Sequence, residues 1–250
     1  MNKDFRKFRN FLKDSLRKEF DFSLTDQAKG ISVPDVEKPV LAGQRVIALL
    51  NPKEWKKIEK VDLVSAIKNR RSRRAFLKKP LLLEELSFLL WATQGVMCRG
   101  EGYTMRTVPS AGARHALETY LCVLEVENLK PGVYRYLPTK HKLVEEFLDE
   151  ELAFKIIPAC MGQEFVGTAA VVFAWAAIPY RMEWRYGPVS AKVIAVDVGH
   201  VCQNLYLACE AVSCGTCAIG AYDQEKIDAL LRLDGDDEFV IYLAPVGKVS

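Results

Sequence analysis

The apolar positions change their period along the chain. Over residues 1–20, Phe5, Phe8, Leu12 and Leu16 recur at helical spacing with Phe11 and Phe20 beside them, while Lys3, Arg6, Lys7, Arg9, Lys13, Arg17 and Lys18 fill the intervening positions. That spacing predicts a basic amphipathic helix. Such a helix can lie on a membrane surface. The reading preferred here packs it on its own protein or on a second subunit. Residues 21–60 hold no period for long. Gly30, Pro34, Pro39, Gly43 and Pro52 interrupt any extended element, leaving an arm with one short strand at 46–50.

From Val61 the pattern sharpens. Asp62 can cap a helix that carries Leu63, Val64 and Ile67 inward. Pro80 precedes a second helix over 83–93, stopped by Gly95. Residues 119–126 read as a strand, and 132–137 with 141–144 as a hairpin turning at Pro138-Thr139-Lys140. The run 169–178 is apolar without alternation, which predicts a central strand covered on both faces. A long helix over 190–212 would bury Val193, Val196, Val201, Leu205, Ala208 and Val212. Asp223 caps a further helix through Leu231, and 239–246 is the last strand. Long helices beside such strands predict an α+β fold, organised as an N-terminal helix and arm (1–60) and one folded domain (61–250).

Composition narrows the function classes. Half of the 250 residues are hydrophobic and 27% are charged, as in ordinary globular domains. A formal charge of +3 is too small to call for a nucleic-acid partner. No apolar run reaches the roughly 18 residues of a membrane span, and the N-terminus lacks a secretory apolar core, so no stable membrane association is expected. Seven cysteines sit scattered in apolar segments (Cys122, Cys202 and Cys209 among them), the pattern of reduced core thiols in a cytoplasmic protein.

The candidate chemistry begins at Asn69-Arg70-Arg71-Ser72-Arg73-Arg74-Ala75-Phe76, four arginines and a serine where a helix ends. Guanidinium forks suit a phosphate because they donate parallel hydrogen bonds. The alternative is that these arginines only offset the helix dipole or stay solvated. Pro109-Ser110-Ala111-Gly112-Ala113 supplies small residues against which a flat ring could lie, or else a simple tight turn. Arg114 and His115 follow, able to bind an anionic substrate or relay protons, or to form a salt bridge with Glu118 beside a solvated histidine. Cys214-Gly215-Thr216-Cys217 is a lone C-x-x-C that follows a helix rather than opening one, and no second closely spaced Cys/His pair accompanies it, so no metal site is expected.

Several motifs agree in order. Arg70-Arg71-Ser72-Arg73-Arg74-x-Phe76, the helix from Leu82 to Gly95, Arg106-Thr107-Val108-Pro109-Ser110-Ala111-Gly112-Ala113, Gly132-Val133-Tyr134-Arg135-Tyr136, Gly199-His200-Val201-x-Gln203-Asn204-Leu205, Ile219-Gly220-Ala221-Tyr222-Asp223 and Leu243-Ala244-Pro245-Val246-Gly247 resemble the nitroreductase superfamily. Within it they resemble the SagB-type (thiazole/oxazole oxidase-like) dehydrogenase branch. The resemblance spans about residues 61–247. It implies a nitroreductase-like, FMN-dependent fold: a mostly antiparallel central sheet flanked by helices, in an intertwined homodimer with a flavin site at the subunit interface. It also implies an oxidoreductase that passes hydride through flavin N5 in a ping-pong cycle on a small-molecule substrate, with NAD(P)H as a transient donor.

Residue by residue, the resemblance assigns Arg70, Arg71 and Ser72 to the FMN phosphate and ribityl chain, and Arg74 to the ring near N1 and O2. Pro109, Ser110, Ala111 and Gly112 would reach the flavin of the other subunit. The backbone N–H groups of Ile219, Gly220 and Ala221 would lie at N5 and O4. Nitroreductases commonly place basic phosphate ligands after the last strand, where Lys248 is the candidate here. The azoline oxidases of the branch use a Lys-Tyr pair to remove a proton. This chain has Arg185-Tyr186, and an arginine stays protonated, which argues against azoline oxidation while leaving Tyr186 as a proton donor. Arg74, Tyr186 and His115 are thus the catalytic candidates. Two other functions compete: a non-catalytic flavin-binding sensor, and a thiol redox protein using Cys214 and Cys217.

Overall fold

The computed structural model describes residues 3–250. The chain opens as a 3-10 helix, Lys3–Leu12, then α1 (Leu16–Glu19) and the arm, which contributes β1 (Val46–Ala48). Next come α2 (Leu63–Asn69), α3 (Leu83–Gln94), the ribbon β2 (Val96–Gly100) and β3 (Tyr103–Arg106), and β4 (Leu117–Val123). The hairpin β5 (Gly132–Leu137) and β6 (Lys142–Leu148) leads to α4 (Leu152–Ala159) and β7 (Val171–Ala177). Then follow α5 (Tyr180–Tyr186), α6 (Ser190–Glu210), β8 (Cys214–Thr216), α7 (Gln224–Leu231) and β9 (Phe239–Lys248).

Seven strands form one sheet in the order β1-β6-β5-β4-β7-β9-β8, and every neighbouring pair is antiparallel. The strand period of two divides the core. On β7, Val171, Phe173, Trp175 and Ala177 pack into a cluster with α3 and α6, while Val172, Ala174 and Ala176 face α4 and α7. Complete burial of β7 on both faces explains its unbroken apolar run. The structure is therefore α+β, a mostly antiparallel sheet with helices on both faces. Asp62 and Asp223 cap α2 and α7 as expected, accepting from the Ser65 N–H at 3.0 Å and the Lys226 N–H at 3.2 Å.

Two expectations from apolar periodicity are corrected. Leu63, Val64 and Ile67 do not face inward: they are 66%, 75% and 58% exposed, and α2 buries only Ala66. The N-terminal segment is mostly 3-10 rather than α-helical, and its Phe5, Phe8, Phe11, Leu12 and Leu16 are exposed. Among the described residues, no helix is long and apolar enough to cross a membrane.

Buried charges pin the arm to the sheet. Glu118, on β4, is 2% exposed. It accepts from Arg181 Nη2 at 2.6 Å and from the Lys38 N–H at 2.8 Å, with Arg135 Nη1 at 3.7 Å. Arg135 also donates to the carbonyls of Lys38 and Pro39, and Arg106 to that of Val36. Glu118 is thus engaged with Arg181 and Arg135 rather than with Arg114, the partner its local spacing suggests.

Candidate active site

Residues 70–74 leave α2 as an extended segment lying along β8. The Arg73 N–H donates to the Thr216 carbonyl at 2.9 Å, and Ser72 bridges Thr216 in parallel. Gly215 makes this approach possible, since a Cβ there would come within 2.5 Å of Arg73 Cβ. Arg71, Ser72 and Arg74 are exposed, and Arg70 is half-buried with its guanidinium carbon 5.2 Å from the centre of the Tyr206 ring. Tyr206, on α6, links this segment to the next. Its hydroxyl shares a 3.0 Å hydrogen bond with Ser72 Oγ and accepts from the Ala218 N–H at 2.8 Å. Sequence reasoning missed Tyr206. The signal was a tyrosine two residues past the Gly199–Leu205 motif's Asn204, on the same helix.

Beyond Ala218 the chain rejoins the sheet. Ile219 exchanges both backbone bonds with Leu243, at 2.8 and 3.2 Å. Its N–H is therefore spent inside the fold, which corrects its expected place at a ring. Gly220 and Ala221 are exposed, and their N–H groups make no hydrogen bond among the described residues. Lys248 is also corrected. It is 7% exposed, and its ammonium donates to Glu85 Oε1 at 2.5 Å and to the Val212 carbonyl at 2.7 Å. Glu85 in turn accepts the Leu82 N–H at the start of α3, so Lys248 ties β9 to that helix.

The small-residue loop forms a second group. Pro109 and Gly112 are exposed, and Ser110 and Ala111 half-buried. Asp197, on α6, is buried with its Oδ2 unpartnered among the described residues; burial raises its pKa, against the opposing influence of Ser110 and the Ala111 N–H. Gly112 (φ 59°) and Ala113 (φ 53°) are left-handed, and so is His115 (φ 46°). A Cβ on Gly112 would lie 2.6 Å from the Tyr186 hydroxyl and 3.2 Å from Arg185 Cδ. The loop is therefore packed tightly against Arg185 and Tyr186. Gly112→Ala is expected to cost about 1–2 kcal/mol from backbone strain and displacement of Tyr186, read by urea unfolding. Unchanged stability would mean the turn is not held as described.

The two groups lie apart within one chain. Asp197 and Tyr206 are nine positions apart on α6. At ~1.5 Å and ~100° per residue, that is about 13 Å and two and a half turns, which puts them on opposite faces of the helix. The first group gathers donors of the kind a phosphate would take. Arg70, Arg71 and Arg74 have no carboxylate within ion-pair distance among the described residues, two hydroxyls stand beside them, and two backbone N–H groups are free. The second group offers a close-approach surface and a phenol.

His115 does not serve as a proton relay. It is 5% exposed and its Nε2 lies 3.0 Å from the Thr104 carbonyl, the geometry of a neutral ring donating to backbone. Burial first, and then Arg106, depress its pKa from 6.5 to about 3. Between those values the unfolded chain takes a proton that the folded chain refuses, so stability falls as pH drops through that window. Relative to His115→Gln, the wild-type chain should lose about 2 kcal/mol between pH 7 and pH 5, measured by urea unfolding. A difference independent of pH would show that the ring is solvated.

The C-x-x-C pair is closed off as well. Cys214 and Cys217 are 3% and 2% exposed and unpaired, and burial pushes the Cys214 thiol up to about 12. Both thiols are buried, so neither is accessible to a partner as a thiol redox function needs. Among the described residues, no group of three or more His, Cys, Asp or Glu could hold a metal.

Relatives share this architecture. A nitroreductase-family protein of Methanocaldococcus jannaschii is 36% identical over 191 residues, which is 76% of this chain and 93% of the relative. The crystal structure of a Ralstonia eutropha JMP134 protein assigned to the nitroreductases superposes with a TM-score of 0.68 at 26% identity, over 87% of this chain and 94% of that one. A chain of the E. coli microcin synthetase McbBCD, solved with truncated pro-MccB17 bound, shares the fold (TM-score 0.62, 20% identity, 98% and 94% covered). Residues 67–248 match the family as a whole, a span that takes in the arginine segment, the small-residue loop and the Gly220 turn, so the chain belongs to the nitroreductase family of oxidoreductases.

Proposed function

We propose that the protein is an FMN-dependent oxidoreductase of the SagB-type branch, acting as a homodimer on a small-molecule substrate with NAD(P)H as electron donor. The observation that carries this reading is the unneutralised arginine segment, joined through Tyr206 and Ala218 to the turn at Gly220 and Ala221, whose N–H groups have no partner among the described residues. Arg70, Arg71 and Ser72 hold the phosphate and ribityl chain. Arg74 stands at the ring, where a cation favours the reduced, anionic form. Gly220 and Ala221 direct donors at the ring edge. When bound, FMN would supply hydride acceptance and release at its N5. Tyr186 donates a proton to the substrate, and Arg185, being permanently cationic, removes none.

The separation of the two groups across α6 supports a dimer. Each chain offers half a site twice, and the Pro109–Gly112 loop of a second copy completes it. The outward apolar face of α2 and the exposed aromatic residues of the N-terminal segment give that copy a surface to cover. The test is direct. The purified protein should show flavin absorbance or take up added FMN stoichiometrically. It should run as a dimer in light scattering and turn over a quinone or nitroaromatic acceptor with NAD(P)H. A colourless monomer that ignores FMN would overturn the reading. A yellow dimer whose reduced flavin is reoxidised no faster than free FMN would leave a non-catalytic flavin binder.

A further inference from the structure

Beside the Gly112 turn lies a pocket of about 400 Å³, bounded by the arm at Gln27 and Val33, the tip of the β2–β3 ribbon, the loop and α5. Two guanidiniums, Arg114 and Arg185, line it. Arg114 is 5% exposed, and none of its contacts is a carboxylate. Its Nη2 donates to the Gly102 carbonyl at 2.7 Å, its guanidinium carbon lies 5.3 Å from the centre of the Trp184 ring, and its buried Nε has no partner. Arg185 is exposed, with its guanidinium carbon 5.6 Å from the Tyr186 ring. Among the described residues no ion pair includes either arginine. Glu101 on the rim is exposed and bonds to neither. Both cations line the same pocket, and Arg185 is the largest charge acting against the ionised form of Arg114 after burial itself.

A nearly buried guanidinium with an orphaned N–H is costly unless an anion completes it. Tyr103 and Met105, 42% and 51% exposed, and the Trp184 ring give the same pocket an aromatic and apolar lining. We propose that this pocket binds the carboxylate of a planar aromatic or conjugated acid, with Arg114 and Arg185 clamping the anion and Tyr103 and Met105 covering the ring. Its place next to Gly112 and Tyr186 makes it the anchor that presents such an acid for reduction or oxidation. That second step rests on the flavin reading above, whereas the binding pocket rests on the arginines themselves.

The experiment is calorimetric titration of the purified protein, with whatever cofactor it carries, using benzoate and its neutral counterpart benzyl alcohol. Flavin content is read by absorbance on the same sample. Benzoate should bind at least ten-fold tighter than benzyl alcohol, and the preference should shrink as salt is raised. Arg185→Gln, at an exposed position, should weaken benzoate at least five-fold while leaving benzyl alcohol and the melting temperature unchanged. Arg114→Gln should weaken it further. If Arg114→Gln does not fold, Arg185→Gln alone decides. Equal binding of the two probes, or benzoate affinity unaffected by Arg185→Gln, would overturn the proposal. Selective benzoate binding by a sample without flavin would uphold the pocket and sink the flavin reading. A flavin-loaded protein that ignores benzoate would do the reverse.

Discussion

Replacing Arg70 with alanine should weaken FMN binding roughly 10- to 150-fold, the equivalent of losing about 1.5–3 kcal/mol of charge-assisted hydrogen bonding to a phosphate. Arg70 is half-buried, and its guanidinium is stacked on Tyr206. Less of its rotamer freedom therefore remains to be lost on binding. Arg70→Lys should recover only part of the affinity, since a point charge cannot donate two parallel bonds. Tyr206→Phe tests the link from the other side: it frees Ser72 and leaves the Ala218 N–H without its partner, so both edges of the site loosen together. Fluorescence titration of apoprotein with FMN measures all three variants. An Arg70→Ala protein that holds FMN as tightly as wild type would place the phosphate elsewhere.

Glu118→Ala is expected to destabilise the fold by about 3–5 kcal/mol, because it strips the counter-charge from buried arginines rather than removing a balanced pair. Arg135 retains Glu146 at 2.7 Å, but Arg181, 4% exposed, has no other carboxylate partner among the described residues and already carries an unpartnered Nη1. At about 2–4 °C per kcal/mol for a domain of this size, the melting temperature should fall by about 6–20 °C. The Lys38 N–H also loses its acceptor. Hydrogen exchange should therefore rise first in the arm around residues 36–39, before the central strands open. A loss below about 1 kcal/mol would show that water already reaches these charges.

Some of this could be read along the chain. Asp62 and Asp223 cap their helices through contacts within three residues, and β7 betrays its central place by an unbroken apolar run. The β2–β3 ribbon was not legible, because Met97, Tyr103 and Met105 lie exposed on it and blur the alternation. The short helix α5 escaped notice too, seven residues of mixed aromatic and charged character between Pro179 and Gly187. At the site, the arginine segment and the small-residue loop were evident as motifs. Lys248 was misjudged because its partner, Glu85, is 163 positions away.

Local sequence by itself determined the caps, the strand and helix periods, the cluster of cations and the glycines that permit close approach, because each depends on neighbours a few bonds distant. Only the tertiary structure decided which charges are spent and which remain free. Lys248 is consumed by Glu85, and Arg181 and Arg135 by Glu118, whereas Arg70, Arg114 and Arg185 make no ion pair among the described residues. The physical reason is that pairing of charges depends on through-space distance and burial, which the folded sheet sets between residues far apart in the chain. The same holds for apolar residues: periodicity marks Leu63, Val64 and Ile67 as one face of a helix, and only the fold shows that this face turns outward.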